Sequence, residues 1–137
     1  MYYIKKKQHT SDIRLEIKAD NLNELFTAGM MALSKEIAGA YYPTSFSKDF
    51  SETFDITAID HTSLLIDFLS DLLTLGQIHQ VIFFDVNFLQ MENFHLQAEV
   101  YGMKMENIAE EIKAVTYHEA EVIFKEGHYQ TNLVFDI

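Results

Sequence analysis

The segment from His61 to Leu75 constrains this chain more than any other. Leu64, Leu65, Phe68, Leu69, Leu72, Leu73 and Leu75 recur at helical spacing and cover well over half of a helix circumference. Ser63, Asp67, Ser70, Asp71 and Thr74 form the narrow polar remainder. A helix resting on a protein surface buries a single stripe, so one this apolar must be covered on more than one side. The rest of the chain is therefore expected to close around it. Asp60 reads as its N-cap and Gly76 as its stop.

The surrounding sequence is mostly strand-like. Tyr2 to Lys7 reads as a first strand. Ile13, Leu15, Ile17 and Ala19 alternate with Arg14, Glu16 and Lys18, the period of a strand with one buried face. Asn21 followed by Glu24 is a capping-box-like start for a first helix. Its stripe is Leu22, Leu25, Phe26, Met30, Leu33 and Ile37. Gly29 inside that stripe costs roughly 1 kcal/mol of helix stability, which suggests close approach to another backbone. Gly39 and Pro43 end the helix.

Phe50 to Ile56 alternates as a strand. Val81 to Leu89 is apolar on both faces for most of its length, which suits the middle of a sheet. Asn93 marks a turn, and Phe94, Leu96, Ala98 and Val100 alternate beyond it. Gly102 to Glu111 reads as irregular with one short helical turn. Ile112 to Lys125 is an extended segment leading into a strand, Glu126-Gly127 is a hairpin signal, and Tyr129 to Ile137 alternates again. Short turns between neighbours imply antiparallel pairing. The expectation is one α+β domain over residues 1–137, with largely antiparallel β-sheets and two α-helices packed on them.

Composition narrows the chemistry. The formal net charge is -11 and Arg14 is the only arginine, so direct nucleic-acid binding through phosphate neutralisation is not expected. An acidic surface suits a divalent cation, a partner with a basic face, or plain solubility. The absence of cysteine excludes thiolate metal sites and disulfides. The apolar runs are too short to span a membrane and the N-terminal lysines follow the apolar residues, so a cytoplasmic address is expected. Oligomeric state leaves no mark in the sequence. The six histidines form no paired spacing, and neither a Gly-rich phosphate loop nor a GxSxG elbow occurs.

Acids dominate what is left. Asp67 and Asp71 lie one helical turn apart and either pair at a site or line a solvated face. Glu110, Glu111, Glu119 and Glu121 surround Lys113 in sequence, either as ordinary surface charges or as a setting for a partner's anionic group. If the first and last strands are neighbours, Asp12, Asp136 and the Ile137 carboxylate crowd together. Like charges so placed repel unless a cation is bound, and hard oxygen ligands favour calcium, magnesium or manganese.

Several of these stretches together resemble the archease family. His9-Thr10-Ser11-Asp12-Ile13 is similar to its HT[AGS]D[IV] signature. Asn23-Glu24-Leu25-Phe26 resembles its first-helix motif, and Leu64 to Leu73 its second. Ile112 to His118 matches the "iKAvTyH" segment, the most specific of the set, and Asp136-Ile137 the usual C-terminal "DI". The matches fall in order and span nearly the whole chain.

The resemblance implies a non-enzymatic cytoplasmic cofactor protein of the RtcB-type RNA ligase used in tRNA splicing and RNA repair. Its role there is to promote guanylylation and multiple turnover of the ligase. It further implies a metal site at Asp12, Asp136 and Ile137, with calcium as occupant, and a part for Lys113 in stimulating the ligase. His9 and His118 match motif positions without an implied role. Ser70-Asp71 replaces the commoner Asn-Glu, which makes the acid there one methylene shorter. Two other readings of the same residues stand beside this one: a metal-dependent phosphoesterase with His9 or His118 as base, and a general RNA-processing adaptor or chaperone-like module.

Overall fold

The computed structural model describes residues 1–7 and 11–137, so His9 and Thr10 of the N-terminal motif lie outside the described residues. The elements are β1 (Tyr2–Lys7), β2 (Asp12–Ala19), α1 (Leu22–Ala38), β3 (Phe50–Thr57), α2 (His61–His79), β4 (Val81–Glu92), β5 (His95–Lys104), β6 (Ala114–Thr116), β7 (Ile123–Lys125) and β8 (His128–Asp136). All strand pairs are antiparallel. One sheet runs β1-β2-β8-β6, with β7 also pairing β8, and the other runs β3-β5-β4. Both helices touch strands of both sheets, as the apolar girth of α2 requires.

Local chemistry explains most boundaries. Asn21 caps α1 by accepting the Glu24 amide at 2.9 Å, and its side-chain amide donates to Glu24 Oε2 at the same distance. Asp60 caps α2 through the Ser63 amide at 2.7 Å. Asn93-Phe94 and Glu126-Gly127 both have positive φ at each residue, the pattern of a type I′ hairpin turn. The core centres on α2: the Phe68 ring meets those of Phe26, Phe54 and Phe88 at 5.8, 5.7 and 6.5 Å. Full burial of a side chain of this size contributes roughly 2–3 kcal/mol.

Four local expectations need correction. Gly76 does not stop α2, which continues to His79 and closes on Gln80 in the left-handed conformation. Glycine is needed at 76 because a Cβ there would sit 2.9 Å from the Val81 carbonyl oxygen. Gly29 approaches side chains rather than backbone, since its Cβ would meet Leu69 Cδ1 at 3.2 Å. β4 is an edge strand, not a central one. Its first residues are covered on both faces without a second neighbouring strand: α1 packs along it, Ser34 Oγ donates to the Phe83 carbonyl, and Phe46 stacks on Phe84 at 4.7 Å. Gly102 to Lys104 belong to β5 rather than to the irregular stretch, and residues 105–113 are irregular with no helical turn.

Candidate functional site

β8 pairs with β2 rather than with β1. The register sets Asp12 directly opposite Asp136. Directly opposed residues share a sheet face with Cβ atoms about 5 Å apart. Asp12, Arg14, Glu16 and Lys18 occupy the outer face of β2, while Ile13, Leu15 and Ile17 point into the core. Ile137 follows Asp136, and with Asp12, Lys6, Lys7, Glu36 and Glu110 it lines a cavity of about 420 Å³. Lys6 Nζ is 3.1 Å from Glu36 across that cavity.

The segment 113–119 fastens this end together. The Lys113 amide donates to the Asp136 carbonyl at 2.7 Å, and β6 then pairs with β8, setting Ala114 opposite Asp136. Tyr117 Oη donates to Asp67 Oδ1 on α2 at 2.8 Å, and that bond is the first cause holding the phenol above its ordinary range. The His118 amide donates to Thr116 Oγ1 at 3.2 Å, and His118 Nε2 is 3.6 Å from Glu119 Oε1.

Glu119 lies in the left-handed region at φ 60°. Arg14 Nη1 donates to both of its carboxylate oxygens at 2.7 Å, and Arg14 Nε donates to Asp12 Oδ1 at 3.2 Å. The bond to Asp12, then those to Glu119, hold the guanidinium above its ordinary range.

The structure brings Asp12, Asp136 and Ile137 to one end of the five-stranded sheet, with the Lys113 backbone against them. The Lys113 side chain is exposed and forms no ion pair among the described residues. Glu119, assigned to its neighbourhood by sequence, is engaged by Arg14 instead. Asp71 is exposed on α2, with no hydrogen bond or ion pair among the described residues. Loss of hydration, then the charge of Asp67, pushes its carboxyl up. His9 lies outside the described residues. Sequence reasoning missed the Arg14 bridge and the Tyr117–Asp67 bond. The signal for the first was that a single arginine stands two positions from the motif acid.

A hard cation suits oxygen donors of this kind. Among the described residues, no three His, Asp or Glu side chains group closely enough to hold a metal ion. A donor set built on Asp12 and Asp136 would need a further group, such as the Ile137 carboxylate. The described chain contains no helix long and apolar enough to cross a membrane.

Comparison with known proteins gives one consistent result. A profile of the Archease protein family matches residues 5–137. Protein archease of Pyrococcus abyssi is 31% identical over 138 residues, covering 95% of each chain. Protein archease of Methanosarcina barkeri is 29% identical, covering 94% of this chain and 92% of the relative. The solution structure of Methanobacterium thermoautotrophicum protein 1598 superposes with a TM-score of 0.78 at 21% identity over 98% of both chains. The crystal structure of a Thermotoga maritima archease, described as a possible chaperone, gives 0.68 at 20% identity over 97% and 96%. With a family profile covering nearly its whole length and the same two-helix, antiparallel-sheet fold, this chain belongs to the archease family.

Proposed function

We propose that this protein is an accessory factor that activates an RtcB-type RNA ligase, promoting its guanylylation and repeated turnover. The observation that carries the reading is the cross-strand pair Asp12–Asp136, with the Lys113 amide bonded to the Asp136 carbonyl. Three motif segments from distant parts of the chain thereby meet at one end. Asp12, Asp136 and the Ile137 carboxylate would hold a divalent cation there, calcium by preference, with manganese or magnesium as alternatives. When bound, the cation supplies fixed positive charge between carboxylates that otherwise repel. The exposed Lys113 side chain stands beside this end and offers an ammonium to the partner. The partner is read as protein rather than RNA because the net charge of -11 opposes phosphate binding.

The test is ligation by the RtcB-type enzyme under multiple-turnover conditions, with and without this protein. Stimulation is expected from the unaltered chain. Asp12→Ala and Asp136→Ala should abolish it while circular dichroism stays unchanged, and should weaken calcium binding by at least about tenfold. No stimulation by a folded sample sinks the reading. Turnover of a phosphoester without any ligase would replace it with the phosphoesterase alternative.

A further inference from the structure

Arg14 stands between two carboxylates that it does not hold equally. Its Nη1 takes both oxygens of Glu119 at 2.7 Å, while its Nε reaches a single oxygen of Asp12 at 3.2 Å. Glu119 is presented to it by an unusual backbone: φ is 60°, in a turn closed by the Ala120 amide on the Tyr117 carbonyl at 3.1 Å. The Arg14 and Asp12 side chains are 20% and 16% exposed, against 44% for Glu119, so the Asp12 contact is the more sheltered of the two. A guanidinium keeps its charge at every physiological pH, so this positive charge is permanent.

We propose that Arg14 is a resident counter-ion of the acidic end: it offsets the charge of Asp12 in the cation-free protein and cedes it to an incoming divalent cation, while Glu119 retains the guanidinium. Arg14 and Glu119 then set cation affinity without being ligands. The proposal rests on the cation reading given above. Its geometric basis is the long single contact to Asp12 beside the short double contact to Glu119. Releasing Asp12 costs Arg14 one hydrogen bond and leaves it paired with Glu119.

The experiment is calorimetric titration of the chelator-stripped, full-length protein with calcium, comparing the unaltered chain with Arg14→Gln and Glu119→Gln. Removing a unit positive charge beside the site should tighten calcium binding about tenfold in Arg14→Gln. Removing the alternative partner should weaken it about threefold in Glu119→Gln, because Arg14 is then left to Asp12 alone. A purely structural Arg14 gives the opposite sign, since its loss would loosen the site.

Binding by the unaltered chain that is unchanged or weaker in Arg14→Gln overturns the proposal and leaves the cation reading standing. No binding by either chain overturns both. Binding by Arg14→Gln alone supports the proposal, since the counter-ion then fills the site. If Arg14→Gln does not fold, Glu119→Gln decides: weaker binding supports the exchange, and unchanged or tighter binding overturns it.

Discussion

Each sheet carries an aspartate on its outer face opposite a polar residue of the neighbouring strand, and the two positions are chemically opposite. In the three-stranded sheet, Asp55 faces Gln97, whose amide donates to it at 3.0 Å, and His95 Nε2 lies 2.6 Å away. The Gln97 bond, then the one to His95, holds the Asp55 carboxyl below its ordinary range. In the five-stranded sheet, Asp12 faces Asp136. Like charges directly opposite one another destabilise a sheet by up to about 1 kcal/mol in general. The first position is complete within the chain. The second leans on Arg14, which it shares with Glu119. An acid opposite an amide needs nothing more, whereas an acid opposite an acid is suited to receiving something.

That contrast presumes one cooperative molecule in which the two sheets differ in surface chemistry alone. Phe68→Ala is the strongest way to break it, because this ring meets Phe26 on α1, Phe54 on β3 and Phe88 on β4. The loss should be about 4 kcal/mol, seen as one shifted transition in denaturant melts. Two separated transitions would mean that the sheets fold independently.

Asp55→Asn comes next, with a fall in Tm of about 3 °C at pH 7. A carboxyl held low in the folded state contributes stability above its unfolded pKa and loses it as pH falls through the folded value. The difference between variant and unaltered protein should therefore shrink to nothing in acid, and ligase stimulation should not change. The smallest effect has the opposite sign. Asp136→Asn should raise the cation-free Tm by about 2 °C, since it removes a like-charge pair, while reducing stimulation. A fall in Tm would show that Asp136 is satisfied in the way Asp55 is.

Much of this architecture is legible residue by residue. The caps at Asn21 and Asp60, the hairpin at Glu126-Gly127 and the alternation of β2 and β8 depend on local chemistry, and local chemistry is written locally. The misreadings share a cause in tertiary structure. Val81 to Phe83 are all buried although β4 is an edge strand, covered by elements other than a second strand, and periodicity cannot distinguish that from a central strand. Gly76 punctuates no helix; it makes room for the Val81 carbonyl. Asp12 and Asp136 could be nominated from sequence as acids at opposite ends of the chain, and the family motifs named the same pair. Their shared register, the Arg14–Glu119 bridge and the Tyr117–Asp67 bond depend on how α2, β2 and the 113–119 segment come together, which no spacing encodes.

The pairing of β2 with β8 also orders events in time. Asp12 and Asp136 are far apart in sequence, so the pair exists only where β2 and β8 have both been made and have come together. β2 gains its second neighbour only when synthesis reaches β8, and contacts between such distant segments form late in folding. Anything that recognised this pair would thus read the folded domain and neither segment alone. The acidic pair doubles as a mark of completed folding, carried by the fold at no cost in extra sequence.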